Sequence, residues 1–284
     1  MKHVKRAMKV IGILCLFLCV VYIGLYAYAK LSSKLPIRSA NQFYLYDKDN
    51  NLYSGTNKEW ISLDQMSDYI IEATLAVEDK NFYKHQGFDV LRIIKAMMVN
   101  ISSGKRLQGA STITQQYAKN LFLDFDKTWY RKIEEAFLTM RLEAHYSKDE
   151  ILEGYLNTIN YGGIFGIENA SKYYFGKSAK DLTLAEASIL AGIPKSPSNY
   201  SPIANPDKAK SRQAVILQAM VNNNYITEEE KKEATEVALT YIGKKENDDI
   251  PTLMYYQDAV MKELEEIRTI PSSFLETGGL KIYT

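Results

Sequence analysis

Cysteine is almost missing from this chain of 284 residues: Cys15 and Cys19 are the only two, and both fall in one apolar run. The roughly 250 residues beyond that run carry no thiol, so no disulfide framework can brace them, and their stability must come from a hydrophobic core. An excess of either charge is missing too. The 35 Lys and Arg against 34 Asp and Glu leave a formal charge of +1, which excludes a strong global attraction to nucleic acid and makes any phosphate binding local. No His or Cys cluster has metal-ligand spacing. No strand, Gly-rich turn and helix follow one another in the dinucleotide-binding manner. There is no internal repeat and no low-complexity tract.

What is present begins with the apolar run itself. Val10 to Ala29 carries no charge, and about 20 apolar residues at helical rise cover the hydrocarbon core of a bilayer. Lys2, Lys5, Arg6 and Lys9 precede it, which keeps the short N-terminus cytoplasmic and sends everything after Lys30 outside. The alternative is a cleaved signal peptide, since Ala27-Tyr28-Ala29 resembles a cleavage site. The apolar region of a signal peptide is usually about 7 to 15 residues, shorter than this one, which favours a retained anchor.

Beyond the anchor the periodicity is mostly helical. Phe43-Tyr44-Leu45-Tyr46 and Leu52-Tyr53, around the polar residues 47–51, read as a short strand pair. Four hydroxyls stand three residues before an acid or amide, the capping-box spacing of helix starts: Ser62 with Gln65, Ser147 with Glu150, Thr183 with Glu186 and Thr227 with Glu230. Gly192 and Pro194 close one helix, and Pro197, Pro202 and Pro206 mark an extended segment before a helix from about Asp207 to Asn222. The expected fold class is mainly α.

Three polar clusters carry the candidate chemistry. In the helix starting near Trp129, Ile133, Phe137, Met140 and Ala144 stack on one face, which predicts that Arg131 and Glu135 point away from the core. As a surface pair these two are worth only about 0.3 to 0.5 kcal/mol, and the cation precedes the acid, the less favourable order. In the second cluster Ser111 or Thr112 can cap a helix running to about Phe122. Gln115, Gln116 and Lys119 then share that helix, and free amides, hydroxyls and a lysine at a helix start seat a phosphate. In the third, Ala73, Leu75, Ala76 and Val77 lead into Glu78 and Asp79, an apolar wall that would raise the pKa of Glu78 and fit it for proton transfer near neutral pH. His85 nearby also reads as a hydrogen-bonded structural histidine.

These residues carry a resemblance. Ala76-Val-Glu-Asp-Lys-Asn-Phe-Tyr-Lys-His-Gln-Gly-Phe-Asp89 resembles the first motif of the family 51 peptidoglycan glycosyltransferases. Gly109-Ala-Ser-Thr-Ile-Thr-Gln-Gln-Tyr-Ala-Lys-Asn120 resembles the second, Arg131-Lys-Ile-Glu-Glu-Ala136 the third, and Lys148-Asp-Glu-Ile-Leu-Glu-Gly-Tyr-Leu-Asn157 the fourth. Leu184-Ala-Glu-Ala-Ser-Ile-Leu-Ala-Gly-Ile-Pro194, with Pro197, Tyr200 and Pro202, resembles the fifth.

The resemblance implies a lysozyme-like glycosyltransferase domain over residues 61–245. Before it stand the tail and transmembrane helix of residues 1–30 and a linker with the β-hairpin over 31–60. It implies polymerisation of lipid II into β-1,4 glycan strands, with inversion and release of undecaprenyl diphosphate. Glu78 matches the general base and Glu135 the second essential glutamate. Asp79, Phe82, His85, Ser111, Thr112, Gln115, Gln116, Lys119, Asn120, Lys127, Arg131 and Lys132 match substrate-binding positions, with Lys127 standing where arginine is common and Ser188, elsewhere, where alanine is. No cofactor is required by sequence; a divalent cation, Mg2+ or Mn2+, would bind with the diphosphate. The partners implied are lipid II, the growing strand, the membrane and other wall-synthesis proteins, at the outer face of a bacterial cytoplasmic membrane. Residues 91–99 mix bulky apolar residues with two bases and read either as core or as an interfacial segment dipping into the membrane.

Residues 246–284 resemble the linker that leads into the transpeptidase of class A penicillin-binding proteins, so the expectation is a truncated chain more than a monofunctional enzyme. Ser102-Ser-Gly-Lys105 fits a Ser-x-x-Lys pattern, but no Lys-Thr-Gly follows. Three rivals remain: a nucleotide-sugar transferase using Asp124 and Asp126, a lytic glycosidase in which Glu78 is an acid, and a non-catalytic membrane scaffold.

Overall fold

The computed structural model describes residues 2–37, 43–46, 52–55, 59–104, 109–122, 129–243, 263 and 280–283. Eleven α-helices are described: α1 (Lys2–Leu31), α2 (Asp68–Glu78), α3 (Val90–Ser103), α4 (Ile113–Phe122), α5 (Trp129–His145), α6 (Lys148–Thr158), α7 (Ile167–Phe175), α8 (Leu184–Leu190), α9 (Pro197–Tyr200), α10 (Pro206–Asn222) and α11 (Glu228–Glu236). Strands β1 (Phe43–Tyr46) and β2 (Leu52–Gly55) pair antiparallel, with an irregularity between Leu45 and Tyr46. A third strand, β3 (Leu280–Tyr283), pairs parallel with β1, so the segment read as a linker supplies a sheet edge to the start of the chain.

The helix starts follow local chemistry. Ser147, Thr183 and Thr227 each close a complete capping box with the glutamate three residues on, leaving few amides unpaired at those ends. Ser62 makes no such bond; it precedes only a short 3-10 turn, Leu63–Gln65. Side chains that are wholly buried, among them Ile70, Tyr117, Leu142, Ile151, Leu152 and Tyr174, build one core. Gly154 seats α4 on α6: a Cβ there would stand 2.0 Å from the Tyr117 hydroxyl, so only the bare backbone lets the ring lie flat against the helix.

The expected orientation of α5 is overturned. Ile133 is 69% exposed and Tyr130 75%, whereas Glu135, Thr139 and Leu142 are buried. The inward face of α5 packs on α4, where the second polar cluster lies, and part of its apolar stripe meets α1, with Phe137 stacked on Tyr28 at 5.7 Å. A helix flanked on two sides buries two faces, and periodicity cannot say which one lines a polar cleft.

The end of α1 is strapped to α5. His145 Nε2 lies 3.0 Å from the Ala29 carbonyl, Arg141 Nη2 donates to the Ser33 carbonyl at 2.7 Å, and the Tyr146 hydroxyl donates to that of Leu35. Along α1, Ile11, Leu14, Cys15, Leu18 and Cys19 have side chains outside the described ones. Among the described residues no helix is long and apolar enough to cross a membrane.

Candidate active site

Glu78 ends α2, and both its carboxylate oxygens are engaged. Gln116 Nε2, on α4, donates to Oε2 at 2.8 Å, and Arg212 Nη2, on α10, lies 4.0 Å from Oε1. The Tyr155 hydroxyl donates to Gln116 Oε1 at 3.3 Å, which turns the amide nitrogen toward the acid. Burial pushes the Tyr155 and Tyr161 hydroxyls well up, and the Glu78 charge adds to both shifts, so both remain protonated beside it. Arg92 of α3 donates to the Glu78 carbonyl, at the negative end of the α2 dipole. The apolar wall of Ala73, Leu75 and Ala76 is buried as the spacing predicts, yet the carboxylate itself faces an amide and a guanidinium.

Asp79, Phe82 and His85 turn inward beside it. Asp79 accepts from the Ile113 amide at 3.1 Å and holds His85 Nε2 at 3.0 Å, so one buried acid pins the start of α4 from 34 residues away. A carboxylate only accepts, which places the imidazole hydrogen on Nε2. Phe82 is 1% exposed, with Lys148 Nζ 4.4 Å from its ring centre.

Thr112 and Gln115 answer each other. The Gln115 amide donates to Thr112 Oγ1 at 3.2 Å and Gln115 Oε1 accepts from the Thr112 amide at 3.1 Å, a capping box that commits both side chains to the helix start. Ser111 is partly exposed and Asn120 exposed. Lys127, with Asp124 and Asp126, lies outside the described residues, as does Lys105.

The second acid has its own cations. Glu135 is 3% exposed and is met by Lys132 Nζ and, at 4.0 Å, by Arg131 Nη1. Lys119, on α4, feels the same group's charge: burial holds its pKa below the ordinary lysine value, with Glu135 raising it and Arg131 and Lys132 lowering it. Gln116 and Lys119 are three residues apart on α4, neighbours on one helix face. One face of α4 therefore joins an acid held by an amide to a region where Glu135, paired with Arg131 and Lys132, acts on the charge of Lys119. Such a site can take a proton at one end and stabilise a leaving anion at the other.

Several side chains that matter escaped the sequence reading. Arg212, Tyr155, Arg92 and the buried Glu143, which accepts from Thr114 at 2.6 Å and Lys148 at 2.7 Å, all support the site. A signal existed for Arg212: it shares the stripe of Ala209, Ile216 and Met220 at core spacing on α10, an odd place for a cation.

The family described as Transglycosylase matches residues 47–221. Penicillin-binding protein 2D of Bacillus subtilis (strain 168) is 46% identical over 261 residues, covering 90% of this chain and 38% of that protein. Penicillin-binding protein 1F of the same organism is 40% identical over 269 residues, covering 94% and 37%. Penicillin-binding protein 1A of Aquifex aeolicus (strain VF5) is 41% identical over 238 residues, covering 82% and 32%. The chain spans 38% or less of the length of these curated relatives. With more than half of its length matched by the family and its polar clusters gathered along α4, this chain belongs to the transglycosylase family.

Proposed function

We propose that this chain is a peptidoglycan glycosyltransferase that polymerises lipid II. The observation that carries this reading is the face of α4 that joins Glu78, through Gln116, to the Glu135, Arg131, Lys132 and Lys119 cluster. Glu78 takes the proton of the acceptor's sugar 4-hydroxyl as its oxygen attacks the anomeric carbon of the lipid-linked donor. The bond to the diphosphate breaks with inversion, from α to β. A diphosphate leaving group needs compensating charge more than it needs a proton, and Arg131, Lys132 and Lys119 supply it; by the family resemblance Lys127 is a further residue of that kind. Glu135 holds those cations in register while no substrate is bound. Among the described residues no group of three or more His, Cys, Asp or Glu could hold a metal ion. In this reading Mg2+ or Mn2+ would bind together with the diphosphate, and no step above runs through it.

The site works at a bilayer surface in this reading. The uncharged run from Val10 to Ala29 and the unbroken 30-residue backbone helix α1 support a single membrane anchor with basic residues inside. Leu91, Met98 and Ile101 of α3 are 79%, 67% and 76% exposed, an apolar face that favours an interfacial helix over core packing. The test is lipid II polymerisation by detergent-solubilised protein, the parent beside Glu78→Gln and Glu135→Gln. Glycan strands from the parent, lost in both folded variants, are expected. Strand synthesis by folded Glu78→Gln would sink the assignment of the base, and an inactive folded parent would favour a scaffold.

A further inference from the structure

The fifth motif, residues 184–202, has no part in the chemistry above, yet it builds the surroundings of one buried cation. Arg212 is 7% exposed, and its Nε is buried with no hydrogen-bond partner among the described residues. Its guanidinium lies 5.9 Å from the ring centre of Tyr200, and its stem passes over Gly192, where an added Cβ would stand 2.9 Å from Arg212 Cγ and 3.2 Å from Ile216 Cδ1. The absent side chain at Gly192 and the ring of Tyr200 thus shape a seat for the arginine. The carboxylate it meets is Glu78, at 4.0 Å.

From this seat we infer that Arg212 is a positioning residue for Glu78, and that the fifth motif serves the reaction by placing it. The inference rests on the reading of Glu78 as the base. A buried guanidinium is costly unless an anion faces it, so Arg212 and Glu78 hold each other. Gln116 fixes Oε2, Arg212 draws Oε1, and the carboxylate is presented in one orientation before the acceptor arrives. A base already held in its working geometry spends no binding energy on being oriented. Arg212 acts through Glu78 and needs no contact with either sugar.

The experiment uses the full chain in detergent with lipid II, comparing Arg212→Met, Arg212→Lys and Gly192→Ala. Arg212→Met is expected to lower kcat about 100-fold with KM within about threefold. Arg212→Lys recovers about tenfold of that loss, because charge is retained without the fork. Gly192→Ala, which leaves every polar group in place, lowers kcat by displacing the arginine stem. Thermal melting of Arg212→Met, Glu78→Gln and the double variant completes a cycle, and non-additive shifts are expected. Parent-like kcat in folded Arg212→Met, or additive shifts in the cycle, would overturn the inference. Should Arg212→Met not fold, parent-like kcat in Gly192→Ala overturns it instead. Strand synthesis by folded Glu78→Gln would bring down the reading of the base, a result separable from an additive melting cycle.

Discussion

Glu78 and Glu135 flank the same helix but are held in opposite ways. Glu135 sits in the body of α5, and two of its cations, Arg131 and Lys132, come from its own preceding turn. Glu78 stands at the end of α2, and its partners arrive from α3, α4 and α10. One draws its two paired cations from its own helix, although its burial depends on the packing of α5 against α4. The other exists only once four helices have packed. Damage to packing should therefore disturb Glu78 before Glu135, while damage to α5 should disturb Glu135 alone.

That contrast can be broken by substitution, and the largest effect belongs to the helix between the acids. Lys119→Met should lower turnover of lipid II about 100- to 1,000-fold, the loss typical when a charge-stabilising group is removed. The same change should stabilise the empty protein at neutral pH. Burial depresses the folded pKa of Lys119, so its charge is a penalty below that pKa, relieved as pH rises toward the unfolded value near 10.5. Melting temperature against pH checks this: the gain of the variant over the parent should shrink as pH rises through the lowered pKa of Lys119 and be gone above about 10.5. A gain that persists there would mean the lysine costs stability for another reason.

Next in size is Asp79→Asn. It weakens the bonds to both His85 and the Ile113 amide and should cost about 3 kcal/mol in urea denaturation, far more than an exposed acid of the first motif would. Tyr155→Phe frees the Gln116 amide to rotate; a loss of about 1 kcal/mol in stability and a several-fold drop in kcat are expected, with no change in Lys132→Ala sensitivity. Equal sensitivity of both acids to Tyr155→Phe would erase the distinction between them. The smallest effect on turnover is Thr112→Val, which removes both the cap and the hydroxyl's bond to the Gly87 carbonyl, a loss of about 1 to 2 kcal/mol seen in melting with kcat unchanged once the protein is folded.

Much of this was legible from residue order. Three of four capping boxes were found where the spacing placed them, because the bonds span three residues and need no tertiary partner. The stretch closing at Gly192 and Pro194 and the helix from about Asp207 were likewise readable, but the extended segment expected between them was not found as such: Pro197 opens the short helix α9, the first-turn position a proline tolerates. The face of α5 was not. Its apolar residues do stack at helical spacing, but Ile133 looks outward and Glu135 is buried, because α5 packs on both α4 and α1. Thr112 and Gln115, matched to substrate-binding positions by resemblance, also cap their own helix start, a pairing that residue type alone did not assign.

Residue order alone determined the helical class, the three polar clusters and the family resemblance, since each depends on residue types at short, regular separations. Tertiary structure alone decided which atoms of those clusters meet. The amide of Gln116 is turned by Tyr155, the start of α4 is pinned by Asp79, and Arg212 reaches Glu78 from over a hundred residues away. Contacts of that kind depend on how helices cross, and crossing is set by the shapes of whole buried faces, which no local spacing records.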